Sequence, residues 1–201
     1  MINLPFKNSI LSTLLRQRIK QINNVNSSPL ITQEKIFTGL IKKALNTKFG
    51  NDHSFSKIKT YDDYKKNVPI RKYEEIFPYI EQMRLGKKNI LWPGKTNFFT
   101  ISSGTTNAKS KYIPLSNNTL YDCHFKGGKD MLAIYLNNNP ESRVFNGKGI
   151  MLGGSKKTNN KIIEGDLSAI LLDNFPFWVN SHRIPDIETA LSDNWNKKLE
   201  K

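Results

Sequence analysis

The chain has 201 residues, 37% of them hydrophobic, which is enough for one sizeable core or two small ones. Its formal net charge is +14, but only six of the 31 basic side chains are arginine, and the lysines are spread along the chain without a block or a basic-aromatic stripe. This distribution indicates a solvated, lysine-rich surface and argues against a nucleic-acid partner.

The first predicted element is an amphipathic helix near the N-terminus, where no acidic residue occurs before Glu34. Its apolar residues recur at helical spacing, at Ile10, Leu11, Leu14, Leu15, Ile19 and Ile22. Arg16 and Arg18 interrupt the apolar run, which excludes a secretory signal. No stretch reaches the ~18 to 20 apolar residues of a membrane span, so no membrane partner is expected. A docked first helix is the preferred interpretation, with an organellar transit peptide as the alternative.

The pattern up to residue 95 predicts further helices. A second apolar stripe consists of Ile36, Phe37, Leu40, Ile41, Ala44 and Leu45, and the segment 49–52 is expected to end this helix. Thr60 and Asp63 have the spacing of a helix capping box. Gly86 is expected to close a helix over residues 79–85 as a left-handed cap. Residues 1–95 are therefore expected to be mainly helical, beside a sheet formed within residues 96–201.

A polar segment between two predicted strands is the most specific feature of the chain. The flanking segments 97–101 and 111–115 are short and rich in aromatic or β-branched residues, as in strands. Backbone N–H groups in a tight Gly/Ser/Thr turn can converge on an anion, hydroxyls add donors, and Lys111 adds a point charge. The candidate phosphate-binding residues are Ser102, Ser103, Gly104, Thr105, Thr106, Asn107 and Lys111.

The strand-to-strand setting of this segment excludes two common phosphate loops. A P-loop NTPase needs G-x-x-x-x-G-K-[ST] running into a helix, and a dinucleotide fold needs G-x-G-x-x-G in the same setting. Taken alone, the segment is equally compatible with a polar hairpin turn, which Ser, Thr, Gly and Asn favour through local hydrogen bonds.

A helix is predicted after the second strand, from a cap at Ser116 to Leu136. Gly127 and Gly128 lie in its middle, where each glycine costs roughly 1 kcal/mol relative to alanine. We expect a kink between two short helices at this point. The alternative is that another group approaches the backbone closely there.

The rest of the chain alternates strand and helix patterns. The segment 149–155 indicates a buried strand that enters a turn, Asp166 is expected to cap the following helix, and helical spacing returns over 186–200. This alternation is typical of an α/β layered core.

Cys123 and His124 are interpreted as helix packing and surface residues, with catalysis or metal binding as the alternative. Cys123 is the single cysteine, which excludes an intrachain disulfide and fits a reducing, cytoplasmic compartment. Its neighbour His124 points about 100° away on a helix. The other histidines, His53 and His182, show no metal-ligand spacing. Catalytic residues therefore stay unknown, and no metal ligand is assigned.

The segment 102–111 resembles the nucleotide-binding loop of the adenylate-forming superfamily, which activates carboxylic acids as acyl-AMP. It is one residue longer than in most acyl-CoA synthetases of that superfamily and is similar to the loop of the auxin-responsive Gretchen Hagen family of acyl-acid amido synthetases, especially its bacterial members. The likeness continues in order along nearly the whole chain, in segments 68–74, 78–81, 89–94, 122–130, 152–155 and 165–170.

One position departs from the resembled family. Many relatives carry a second glycine within the loop, where this chain has Asn107 and Ala108. Asparagine is the non-glycine residue that best tolerates the left-handed region, whereas alanine adopts it only at a higher cost. Asn107 can therefore keep a positive-φ turn at modest cost, whereas a turn that needs positive φ at Ala108 would weaken the phosphate site.

The resemblance implies that residues 1–201 are an incomplete N-terminal adenylation domain with an α/β fold, a helical N-terminal layer and part of the layered α/β sheet core. It implies ATP, with magnesium in the intact enzyme, and a small carboxylic acid and an amino acid as substrates of a monomer. The family's magnesium-binding glutamate, ribose-binding aspartate and lid lysine belong to later segments, so this piece alone is not expected to make acyl-adenylate. The alternative is a non-catalytic nucleotide-binding or interaction module derived from that family.

Overall fold

The computed structural model describes residues 7–102, 110–192, 194, 196 and 198. The chain divides into two compact units. The first unit comprises Met1–Ser28, Asn118–Lys156 and Leu167–Lys201, and the second comprises Pro29–Asn117 and Lys157–Asp166. In the described part of the chain, no helix is both long enough and apolar enough to cross a bilayer.

The described α-helices that precede the first strand are α1 (Lys7–Arg16), α2 (Arg18–Ser27), α3 (Pro29–Ala44), α4 (Lys48–Asp52), α5 (Tyr61–Asn67) and α6 (Tyr73–Arg84), and a 3₁₀-helix (Phe55–Lys57) lies between α4 and α5. The next elements are β1 (Phe98–Ser102), β2 (Lys111–Leu115), a π-helix (Thr119–Phe125) and α7 (Lys126–Asn138). They are followed by β3 (Gly149–Ile150), β4 (Lys156–Asn159), β5 (Ile162–Gly165), α8 (Leu167–Asp173), α9 (Phe177–Asn180), β6 (Arg183–Ile184) and α10 (Ile187–Ala190). The α/β fold class predicted from the sequence is confirmed.

The second unit is organised around a four-stranded sheet with the order β2-β1-β5-β4. Strand β1 pairs antiparallel with β2 and parallel with β5, so β2 forms one edge. Phe99 of β1 is fully buried and packs in a cluster with Ile80 and Met83 of α6. The apolar side of α6 therefore covers the face of the sheet to which Phe99 points.

Local signals that begin and end helices in this unit act as the sequence predicts. Thr60 accepts a hydrogen bond from the Asp63 N–H at 3.1 Å, and the Asp63 carboxylate accepts one from the Thr60 N–H at 2.9 Å. Gly86 has φ +83° and follows α6 as a left-handed cap. Helix α6 nevertheless begins at Tyr73 rather than at residue 79 and contains Pro78, because the Glu75 carboxylate caps its start by accepting the Lys72 N–H at 2.7 Å.

The segment 49–52 lies within helix α4, so the prediction that it ends the preceding helix is wrong. The reason is a cap at Thr47, whose hydroxyl accepts the Gly50 N–H at 3.0 Å and donates to the Ala44 carbonyl at 2.7 Å. Gly50 is buried, and a Cβ atom there would lie 2.2 Å from the Ala44 oxygen. The glycine therefore serves a close approach of two backbone segments.

The first unit has a core on helix α7, where Leu136 is fully buried against Leu15 of α1. The predicted N-terminal stripe is confirmed on one side, at Leu11, Leu15, Ile19 and Ile22, whereas Ile10 and Leu14 are exposed. A break at Gln17 divides the expected single helix into α1 and α2.

The predicted kink at Gly127 and Gly128 is replaced by a change of helical winding just before them. The π-helix Thr119–Phe125 runs directly into α7, and Phe125 and Lys126 both have right-handed helical dihedral angles. The glycines then lie in the first turn of α7. A Cβ atom built on either glycine meets nothing within 4 Å, so no described group makes the close approach that was the alternative.

The segment 149–155 is not the buried strand that the sequence predicts. Only Gly149 and Ile150 form a strand, β3, which pairs with β6, and Ile150 is exposed. Close packing instead occurs at Gly153, where a Cβ atom would lie 2.6 Å from Leu172. Helix α10 is short, and Asp186 caps it by accepting the Thr189 N–H at 2.9 Å.

Candidate functional site

Two of the predicted phosphate-binding residues, Ser102 and Lys111, lie in the described part of the chain. Ser102 is the last residue of β1, Lys111 is the first residue of β2, and the two pair in antiparallel register. The prediction that the loop joins one strand to another is confirmed. The other candidates lie outside the described residues, namely Ser103, Gly104, Thr105, Thr106 and Asn107.

The Lys111 side chain lies against an aromatic ring. Its ammonium nitrogen is 5.3 Å from the ring centroid of Tyr73, which is the first residue of α6. Within the described residues, Lys111 forms no ion pair with a carboxylate. Its positive charge is therefore not neutralised by a described acidic group and can act on an anion at the loop.

The hydroxyl of Tyr73 bonds to the edge of the sheet. It accepts a hydrogen bond from the Tyr112 N–H at 2.8 Å and donates to the Tyr112 carbonyl at 3.3 Å. Sequence reasoning assigned Tyr73 no role, although the residue lies in segment 68–74, which carries part of the family likeness. The contact joins residues 39 positions apart, so no local pattern predicts it.

A second cation, Arg84 of α6, lies against the same strand but is paired with a carboxylate. The guanidinium carbon of Arg84 is 3.5 Å from the Tyr112 ring centroid, and its Nε donates to the Glu164 carboxylate at 2.6 Å. The hydrogen bond to Glu164 is the main cause that raises the pKa of Arg84 above its usual value. The ion pair joins α6 to β5 and the ring contact joins α6 to β2, so Arg84 links three elements of the unit that carries the loop.

The remaining candidate groups have structural contacts. Cys123 is exposed, and the His124 ring lies 5.9 Å from that of Phe125. His53 is buried, with Nδ1 2.8 Å from the Phe49 carbonyl. Among the described residues, no group of three His, Cys, Asp or Glu side chains is placed to hold a metal ion.

Comparison with known proteins agrees with this arrangement. The protein-family model described as "GH3 family N-terminal domain" matches residues 18–200. The chain is 27% identical over 133 residues to the 4-substituted benzoates-glutamate ligase GH3.12 of Arabidopsis thaliana, over 58% of this chain and 23% of that protein. It is 26% identical over 97 residues to the putative indole-3-acetic acid-amido synthetase GH3.9 of the same plant, over 48% of this chain and 16% of that protein.

Solved structures show the same fold. The chain superimposes on the GH3.15 acyl acid amido synthetase with a TM-score of 0.65 at 18% identity, over 96% of this chain and 33% of that one. A structure of AtGH3.15 acyl acid amido synthetase in complex with 2,4-DB gives 0.58 at 18% identity, over 85% of this chain and 29% of that one. The chain thus spans a third or less of the length of these relatives. Because the family model covers nearly the whole of it, the chain belongs to the GH3 family.

Proposed function

We propose that this chain supplies the nucleotide-phosphate-binding part of an ATP-dependent ligase that activates a carboxylic acid as an acyl-adenylate and transfers the acyl group to an amine. The observation that carries the proposal is the loop between β1 and β2, which is rich in hydroxyl groups and bounded by a lysine without a described carboxylate partner. Membership of the GH3 family supports it, since the matched relatives are named as ligases or amido synthetases.

The proposed reaction has two steps. The substrate carboxylate attacks the α-phosphorus of ATP, the bond from that phosphorus to the bridging oxygen breaks, and pyrophosphate leaves with the electron pair. The amine of an amino acid then attacks the acyl carbon, the bond from that carbon to the phosphate oxygen breaks, AMP leaves with the electron pair, and the nitrogen releases a proton to water. The name of GH3.12, a benzoates-glutamate ligase, supports a carboxylic acid and an amino acid as substrates.

In this proposal, the loop residues act on the β- and γ-phosphates. Hydroxyl and backbone N–H donors hold the phosphate oxygens, while the Lys111 ammonium offsets the charge that shifts onto the departing pyrophosphate. The donor set fits a phosphate, because it combines a cation with neutral donors and includes no carboxylate. Magnesium is assigned to no described residue, and it would add further positive charge at the same phosphates.

The test is acid-dependent exchange of pyrophosphate into ATP, measured on the longest natural protein that contains residues 1–201. Lys111→Ala is expected to lower the exchange by about ten-fold or more, the size of one lost charge-assisted contact. Gly104→Val is expected to lower it further by blocking the approach of the backbone. Lys157→Ala is the matched control, because it removes an exposed lysine from β4 at the opposite edge of the same sheet.

Each result of this assay has a defined meaning. Unchanged exchange in both loop variants contradicts the phosphate assignment. ATP binding that depends on Lys111, without exchange for any acid in a broad panel, identifies a non-catalytic nucleotide-binding module instead.

We also propose that the protein acts as a monomer and that it works in the cytoplasm. The single cysteine supports the cytoplasmic assignment, because it fits a reducing compartment. Light scattering tests the monomer. A mature N-terminus that starts after Val25 would contradict the cytoplasmic assignment in favour of import into an organelle.

A further inference from the structure

Tyr73 contacts the beginning of β2 in two different ways. Its hydroxyl accepts from the Tyr112 N–H at 2.8 Å and donates to the Tyr112 carbonyl at 3.3 Å. Its ring lies 5.3 Å, centroid to nitrogen, from the ammonium group of Lys111. One side chain of α6 therefore holds both the backbone and the cation at the point where the loop enters β2.

The hydroxyl contact matters because β2 is an edge strand. Alternate residues of such a strand direct their N–H and C=O groups away from the sheet, where no neighbouring strand pairs with them. Tyr112 is one of these residues, and the single hydroxyl of Tyr73 satisfies both of its groups. This contact fixes the backbone one residue after Lys111.

The ring contact matters because a lysine side chain is flexible. Its four-carbon stem gives the ammonium many positions, and the face of an aromatic ring attracts the cation to a few of them. Arg84 does not compete for the Tyr73 ring, since its guanidinium lies on Tyr112 and is paired with Glu164. The Lys111 charge is thus held in place while it has no described carboxylate partner.

We infer that Tyr73 is a positioning residue for Lys111, holding the ammonium and the adjacent backbone ready for the phosphates of the bound nucleotide. The inference rests on the proposed function, because it takes the phosphate site to be the loop that Lys111 bounds. Positioning of this kind lowers the conformational entropy that is lost when the anion binds.

The contact itself is tested without any phosphate, by NMR of the 201-residue chain. The Lys111 ε-protons are expected to be shifted upfield by the Tyr73 ring, to keep that shift in Tyr73→Phe and to lose it in Tyr73→Leu. The Tyr112 amide is expected to exchange about five- to ten-fold faster in Tyr73→Phe, which removes only the hydroxyl. Unshifted Lys111 protons in the unmodified chain, or an unchanged Tyr112 amide in Tyr73→Phe, overturn the inference.

Tyr79→Phe is the matched control for these variants. Tyr79 lies on the same helix, and its hydroxyl donates to the Asp52 carboxylate at 2.8 Å. The control therefore loses a hydroxyl and a hydrogen bond from α6, and it is expected to change neither the Lys111 protons nor the Tyr112 amide.

The effect on phosphate is tested with inorganic tripolyphosphate, titrated into the same proteins and followed by phosphorus NMR. Lys111→Ala is expected to bind about ten-fold more weakly or worse, and Tyr73→Leu about two- to five-fold more weakly.

If Lys111→Ala binds normally, the phosphate assignment is wrong, and the NMR contacts still decide whether Tyr73 holds Lys111. If Lys111→Ala binds weakly while Tyr73→Leu binds like Tyr79→Phe, the phosphate assignment stands and the positioning inference is wrong. Should Tyr73→Leu not fold, the Tyr112 amide in Tyr73→Phe decides.

Discussion

The ion pair between Arg84 and Glu164 is predicted to be a strong tertiary contact of the sheet that carries the loop. Both side chains are only 26% exposed, so water screens the pair less than it screens a surface pair. A hydrogen bond to a charged group contributes about 1.5–3 kcal/mol, and a stacked cation adds roughly 0.5–1 kcal/mol. Arg84→Ala should therefore lower the free energy of unfolding by about 2–4 kcal/mol.

A double-mutant cycle separates the ion pair from the stacking contact. Glu164→Gln removes the negative charge, and the coupling between it and Arg84→Ala is expected to be about 1 kcal/mol or more. Arg84→Lys should recover only part of the stability, because lysine keeps the charge but loses the planar group that stacks on Tyr112. Urea denaturation measures the free energy of unfolding of each variant. It is followed through tryptophan fluorescence, to which Trp92 of the same unit contributes.

The control cycle uses Asp62 and Lys65, an ion pair on α5 whose side chains are 73% and 58% exposed. Its coupling should be smaller than that of the Arg84 pair, because solvent screens both charges. Equal coupling in the two cycles, or a coupling near zero for Arg84 and Glu164, would refute the reasoning.

Two further predictions concern stability. Gly50→Ala should destabilise the protein by several kcal/mol, by roughly the cost of an overpacked core site or more, because its Cβ atom would lie 2.2 Å from the Ala44 oxygen. Gly39→Ala in α3, where a Cβ atom meets nothing within 4 Å, should instead raise the thermal midpoint, and a reversed order would contradict this. Two backbone N–H groups lower the pKa of Asp63 from its usual 3.8, so its contribution to stability is present above that pH and is lost as the pH falls through the lowered pKa. Urea midpoints between about pH 2 and 5 should show this acid-dependent loss in the unmodified protein and a smaller loss in Asp63→Asn, and identical profiles would exclude it.

Features set by a few neighbouring residues could be predicted from the sequence. The capping box of Thr60 and Asp63 and the left-handed cap at Gly86 depend on backbone geometry within one turn, which residue type largely determines. The two strands around the polar segment could also be predicted, since β-branched and aromatic residues are typical of strands and occur in both.

Features that depend on distant parts of the chain could not be predicted. From the sequence alone, Gly50 predicts the end of a helix. In the structure, a glycine is required there because the Ala44 carbonyl lies too close for a Cβ atom. The break at Gln17 lies within a continuous apolar stripe, so periodicity alone gives no sign of it. At the candidate site, the sequence indicates Lys111, but the hydrogen bonds from the Tyr73 hydroxyl to the backbone of Tyr112 join residues 39 positions apart and have no sequence signature.

The pair formed by Ser102 and Lys111 is the boundary between the paired strands β1 and β2 and the candidate phosphate donors of the loop. The described β1–β2 ladder consists of five residue pairs and ends at Ser102 and Lys111, so its pairing is specified by the flanking strand residues. Substitutions in these strand residues are therefore expected to change thermal stability, whereas substitutions among the candidate phosphate donors are expected to change ligand binding. A library that varies the loop is therefore best selected by ligand binding, and one that varies β1 and β2 by thermal stability.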